Sequence, residues 1–349
     1  MMTLAQAGHL AYPARMDTQH RQQTRHATVM IRSAGVLMMI ASSALRANCP
    51  ASIAATTPPG LDRTLTLTLN GLENHPVYGD KKAYIHVPAS YQPGQALPLV
   101  VLLHGAAGNP SAAAGQASVL RGVWRAASDA GGFLVISPVG SGAIGSWIAP
   151  ADRNDVPSDY DVIQAAIQRM SADYTIDSNR IYLWGFSAGG HVALDIALNE
   201  IHATVNSSVF AAFAVNAGVS RGLACAGAST TQCLQNFSGG ASKRPISVHI
   251  GNTDGLLAFA VDDRARFNSL GWQEGVTFFW HEFDGGHYVY NDQPLQIWNN
   301  LCRFSARAAG MPGSAAMPQP ITVESGTIGA GDRTSSMDDP GLRPQDRKR

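Results

Sequence analysis

Apolar and polar positions change their spacing several times along this chain, and each change marks an element. Arg63-Thr-Leu-Thr-Leu-Thr-Leu69 alternates with period two, which predicts a half-buried strand. Lys82-Ala-Tyr-Ile-His-Val-Pro88 predicts a second strand, stopped by its proline. Leu99-Val-Val-Leu-Leu103 is short and apolar throughout, as expected of a central parallel strand covered on both faces. Helical spacing over about Ala113–Ala130 precedes another strand, Phe133–Ile136. After a Gly-, Pro- and Asp-rich connection over 137–158, Ser158 is placed to cap a helix over Asp159–Tyr174. Val162, Ile163, Ala166, Ile167 and Met170 fall on one face of that helix. Strands are predicted at Ile181–Trp184, Phe210–Val215, Ile246–Ile250 and Val276–His281, and helices at about Ala258–Leu270 and Pro294–Ala308.

Strands alternating with helices predict an α/β fold with a mostly parallel central sheet and helices on both faces. The first two strands, joined without a helix, predict an antiparallel N-terminal edge. The domain is expected over residues 61–308. Residues 1–60 form a leader and linker, and 309–349, rich in Gly, Ser, Pro and Asp, predict a disordered tail.

Composition narrows the partners. Twenty-five basic and 25 acidic residues cancel, so no net field recommends nucleic acid or an anionic membrane. Met30-Ile31-Arg32, an apolar and small-residue run over 33–45, and small residues near Ala47 or Ala54-Ala55 predict a secretory signal peptide over about 30–47. Translation from Met30 would then account for the first 29 residues as surplus, and the protein is expected to be secreted or periplasmic without stable membrane insertion. Of four cysteines, Cys225 and Cys233 share a Gly/Ser/Thr-rich loop and are close enough to pair in an oxidising compartment. No Cys/His spacing resembles a zinc site, so no metal is expected.

The strand Ile181–Trp184 runs directly into Gly185-Phe186-Ser187-Ala188-Gly189, followed by an Ala-rich helical pattern. In a chain with 35 glycines the motif alone is weak; the strand before it and the helix after it give it meaning. Such a turn lifts the hydroxyl above the sheet edge, which makes Ser187 the candidate nucleophile. A serine hydroxyl needs a base, and a histidine base needs a carboxylate to fix its tautomer. Gly251-Asn-Thr-Asp254 follows one later strand and Asp284-Gly-Gly-His287 follows the next, in the order Ser, Asp, His. Asp254 and His287 are therefore the candidate acid and base. Asp262 or Asp263, expected within a solvent-facing helix, and His281, at a strand end, are their rivals. For the oxyanion, backbone N–H donors are expected at Ala188 and, from the loop after Leu103, at Ala106, with Ala107 as the alternative. His104 is expected to be structural. Trp147, in the long loop after Ile136, is a candidate substrate-binding residue.

Tyr84-Ile-His-Val-Pro88, Pro98-Leu-Val-Val-Leu-Leu-His-Gly105, Asp177-Ser-Asn-Arg-Ile-Tyr182, Gly185-Phe-Ser-Ala-Gly-Gly190, Gly251-Asn-Thr-Asp254 and Gly285-Gly-His287 together resemble the secreted esterases grouped with polyhydroxybutyrate depolymerases, feruloyl esterases and acetyl xylan esterases (carbohydrate esterase family one). The resemblance spans about residues 62–305 and implies an α/β-hydrolase fold, no cofactor, and hydrolysis of a carboxylic ester through an acyl-enzyme. Ala106-Ala107 stands where the family loop is often richer in glycine, which leaves a backbone donor intact but does not specify the substrate. Two other readings stay open: a prolyl-oligopeptidase-like peptidase on the same scaffold, and a non-catalytic binding relative.

Overall fold

The computed structural model describes residue 49 and residues 60–150, 157–239 and 243–306. All of them belong to a compact unit, Met1–Ser314; the second unit, Ala315–Arg349, lies outside the described residues. So do the expected signal peptide and the expected C-terminal tail.

Eight strands form one sheet: β1 (Leu61–Leu67), β2 (Lys81–Val87), β3 (Leu97–Leu103), β4 (Leu134–Pro138), β5 (Ile176–Phe186), β6 (Ala212–Asn216), β7 (Ile246–Gly251) and β8 (Phe278–Phe283). Their order across the sheet is β1-β2-β4-β3-β5-β6-β7-β8. β1 and β2 pair antiparallel, β2 joins β4 antiparallel, and all later pairings are parallel. This is the expected sheet, with an antiparallel N-terminal edge. β5 is longer than its apolar core suggested, because the polar stretch Asp177-Ser-Asn-Arg180 also lies in the strand.

The helices are α1 (Pro110–Gly131), α2 (Asp159–Asp173), α3 (Ala188–Leu198), α4 (Thr230–Gly239), α5 (Leu257–Ser269) and α6 (Gln293–Leu301). Asn109 caps α1 through the Ala112 N–H, with Pro110 in the first turn, where its missing donor is harmless. Ser158 and Asp161 form a reciprocal capping box on α2. Leu120, Trp124 and Ala127 of α1 and Ile297, Trp298 and Leu301 of α6 pack onto Val100, Leu102, Tyr182, Trp184, Ala212 and Ala214 of the sheet. Each large side chain buried this way contributes about 1.5–3 kcal/mol of hydrophobic stabilisation. On the other face, Ala260 of α5 joins Ile250, and Phe267 of α5 stacks on Phe278 at 5.1 Å.

Two disulfides are present, Cys225–Cys233 and Cys49–Cys302. The first is the expected local pair, but Cys233 sits on α4 rather than in a loop. The second joins residues 253 positions apart and left no local trace in the sequence.

Candidate active site

β5 ends at Phe186 and α3 begins at Ala188, so the chain must reverse at Ser187 alone. It does so at φ 52° and ψ −116°, a conformation that residues with a side chain seldom adopt. The turn is tight enough that a Cβ at Gly185 would sit 2.1 Å from the Gly189 carbonyl oxygen, and one at Gly189 would sit 2.2 Å from that of Leu103. The two glycines of the motif are therefore steric requirements of the turn. The Ser187 N–H donates to the Asn216 carbonyl at the end of β6 (2.9 Å).

The loops past β7 and β8 extend the ladder of those strands. Asn252 N–H donates to Phe283 O and Thr253 N–H to Gly285 O, both at 2.9 Å, and Gly285 N–H returns to the Asn252 side chain at 3.1 Å. This zipper places Asp254 beside His287. The Ser187 hydroxyl lies 2.8 Å from His287 Nε2, and His287 Nδ1 lies 2.8 Å from Asp254 Oδ2. The other carboxylate oxygen of Asp254 accepts the Leu256 N–H at 2.9 Å, which fixes its plane. The Asp254 side chain is 1% exposed and that of His287 41%, so the acid is sealed behind an imidazole that solvent and substrate can reach. With Nδ1–H donated to the carboxylate, Nε2 is left as the acceptor for the serine proton.

The rivals have other partners. Asp262 is exposed on α5. Asp263 does not face solvent as expected: it is buried, accepts the N–H and hydroxyl of Ser220 at 2.6 and 2.5 Å, and pairs with Arg266 at 2.7 Å. It clamps the 3₁₀ turn Ser220–Gly222 to α5. His281 lies within β8, not at its end, with its ring 5.0 Å from that of His249.

Ala188 opens α3, so its N–H belongs to the first turn, where no intrahelical acceptor exists. In the loop after β3, the Ala107 N–H is donated to Gly145 O at 3.1 Å, which engages the alternative donor, while Ala106 is exposed. His104 controls this loop. Gly140 N–H donates to its Nε2 at 2.9 Å, so the ring proton sits on Nδ1 and is donated to Gly105 O at 2.7 Å. The Gly105–Ala106 peptide is planar and trans, so turning its carbonyl toward His104 turns the Ala106 N–H the opposite way. Burial, with the Lys81 charge adding to it and the bond to Gly105 opposing it, pushes the His104 pKa down to about 4, which keeps the ring neutral.

Trp147 is half-buried. Its indole N–H donates to His104 O at 2.7 Å and its ring lies 4.8 Å from that of His104. Its loop is held by a residue the sequence did not single out, Asp159 at the start of α2. That carboxylate accepts the N–H groups of Ser141 (2.8 Å) and Ile148 (2.7 Å) and the Ser141 hydroxyl. Burial raises the Asp159 pKa, and the hydrogen bonds and the nearby Lys81 ammonium oppose the rise.

The BD-FAE family matches residues 85–251. Poly(3-hydroxyalkanoate) depolymerase C of Paucimonas lemoignei is 30% identical over 174 residues, covering 48% of this chain and 38% of that protein. The bifunctional acetylxylan esterase/xylanase XynS20E of Neocallimastix patriciarum is 28% identical over 107 residues, covering 31% of this chain and 14% of that protein. The chain thus spans well under half the length of either curated relative. A solved ferulic acid esterase matches with a TM-score of 0.52 at 15% identity, over 70% of this chain and 99% of the other, which shows a shared α/β-hydrolase fold.

Proposed function

For this α/β-hydrolase, similar to feruloyl and acetylxylan esterases and polyhydroxyalkanoate depolymerases, we propose the function of a secreted serine carboxylic-ester hydrolase working through an acyl-enzyme. The observation that carries the reading is the continuous hydrogen-bond chain Ser187–His287–Asp254 at the rim where β5, β7 and β8 end.

In this reading the Ser187 hydroxyl gives its proton to His287 Nε2 as the oxygen attacks the ester carbonyl. Asp254 keeps the imidazole in the required tautomer and stabilises it once charged. The N–H groups of Ala188 and Ala106 receive the negative oxygen of the tetrahedral intermediate. His287 then protonates the departing alcohol, leaving an acyl group on Ser187. A water enters, gives its proton to Nε2, and releases the acid by the same steps in reverse. Trp147 offers its outer face to the bound ester. The proposed substrates are feruloyl or acetyl esters or short polyhydroxyalkanoate-type polyesters, in keeping with the activities for which the relatives are named. Export is supported by the leader composition and the two disulfides.

The test is a panel of p-nitrophenyl acetate, methyl ferulate, a hydroxybutyrate oligomer and a peptide anilide, run with wild type and Ser187→Ala. Ester turnover that vanishes in the variant supports the reading. Turnover of the anilide alone would move the assignment to a peptidase, and no turnover of any substrate would favour a binding role.

A further inference from the structure

Asn216 ends β6, in register with Phe186, the last strand residue before the nucleophile turn. It is fully buried. Its backbone carbonyl accepts the Ser187 N–H at 2.9 Å. Its side-chain Nδ2 donates to the carbonyl of Tyr288, also at 2.9 Å. Tyr288 directly follows His287, so one residue holds the backbone on both sides of the Ser187–His287 hydrogen bond.

The orientation of this amide follows from chemistry, because only its NH₂ end can face a carbonyl oxygen. Its Oδ1 is buried with no hydrogen-bond partner, and so is Nδ1 of His249, its register neighbour on β7. An apolar side chain of the same shape would fill the space without stranding an oxygen. What the amide adds is the bond to Tyr288. The histidine loop is held upstream of His287 by Asn252 and Thr253, through Gly285. Downstream, the Tyr288 carbonyl is held by Asn216.

We propose that Asn216 is a positioning residue that sets the separation of Ser187 and His287 by tying the nucleophile turn and the histidine loop to one rigid strand end. The proposal rests on the esterase reading of that pair. Displacing a reacting group by a fraction of an ångström to one ångström lowers the chemical step without altering how the substrate docks.

The test uses Asn216→Leu, which keeps the volume and removes both polar ends, and Asn216→Asp, which keeps the shape and replaces the donor by an acceptor. Each is assayed on p-nitrophenyl acetate and for inactivation by an organophosphate, beside Ser187→Ala and with unfolding midpoints measured. The expected result is kcat and the inactivation rate constant both lower by about 10- to 100-fold, with KM within about twofold. Folded Asn216 variants with wild-type kcat, next to an inert Ser187→Ala, overturn the tether and leave the esterase reading standing. Turnover retained by Ser187→Ala overturns the reading itself. If neither Asn216 variant folds, the native protein decides. Slow solvent exchange of the Asn216 amide protons and a through-bond coupling to the Tyr288 carbonyl carbon are expected in its NMR spectra; absence of that coupling overturns the tether.

Discussion

The indole of Trp147 and the carbonyl of His104 are joined by a 2.7 Å hydrogen bond that ties the loop after β4 to the loop after β3. His104 also accepts Gly140 N–H and orients the Gly105–Ala106 peptide, so the Ala106 N–H, the proposed oxyanion donor, is set by both loops. Trp147→Phe keeps an aromatic face but removes the N–H. We expect kcat to fall about 3- to 10-fold on every ester tested, since removal of a supporting bond weakens the donor rather than deleting it. Steady-state kinetics on small and bulky esters check this. A loss confined to KM for bulky esters would assign Trp147 to substrate contact alone.

Asp159 anchors the same loop from below. Asp159→Asn keeps the shape but leaves the buried Lys81 ammonium without its nearby countercharge and weakens the bonds to Ser141 and Ile148. The expected cost is about 2–4 kcal/mol, read as a shift in the denaturant midpoint. A change below about 0.5 kcal/mol would mean that the loop is held by other contacts.

Buried histidines give the fold a pH signature. Burial, assisted by the His281 charge, pushes His249 down to about 3. A histidine so depressed stays neutral in the fold while the unfolded chain takes up a proton below about pH 6.5. Its effect is absent above that pH, and stability is lost as pH falls from there toward the folded-state value. The carboxyls of Asp159, Asp195 and Asp263, raised by burial, act in the opposite sense, because the fold takes up their protons first. Comparing wild type with His249→Asn cancels their contribution. Between pH 7 and pH 5 the variant should lose less stability than wild type, by up to about 1.4 kcal/mol per pH unit. Parallel curves would contradict a neutral buried His249.

Cys49 and Cys302 close a long loop, and long loops lose the most unfolded-state entropy when cross-linked. Cys49→Ser should lower stability by about 2–4 kcal/mol. The pair also bears on processing. Removal of a leader after Ala47 keeps Cys49, whereas removal after Ala55 deletes it. If the leader is removed on export as proposed, mass analysis should find Asn48 at the N-terminus and Cys49 cross-linked to Cys302; a terminus at Pro50 or beyond would contradict this.

Ser187, Asp254 and His287 could be placed from the sequence because each follows its strand within a few residues, where periodicity and glycine punctuation are local signals. The residues that hold them could not. Asn216 meets Tyr288 across 72 positions and Trp147 meets His104 across 43, and neither contact leaves a spacing pattern. Asp263, expected to face solvent, is buried because the Ser220 turn packs against its helix, a contact that helical periodicity does not reveal. The polar stretch Asp177–Arg180 of β5 carries no strand periodicity, since Asp, Ser and Asn favour turns; on β3, Leu97 pairs with Ile176 and Leu99 already with Ile181, so the strand is irregular where its sequence is polar.

The proposed chemistry turns on Ser187 being the acyl-accepting nucleophile, activated by His287. Intact-mass and peptide analysis of the protein treated with an organophosphate ester tests it most directly. One adduct is expected, on Ser187, formed rapidly in wild type and several orders of magnitude more slowly in His287→Ala. Modification of a different residue, or labelling of Ser187 at the same rate without the histidine, would contradict it.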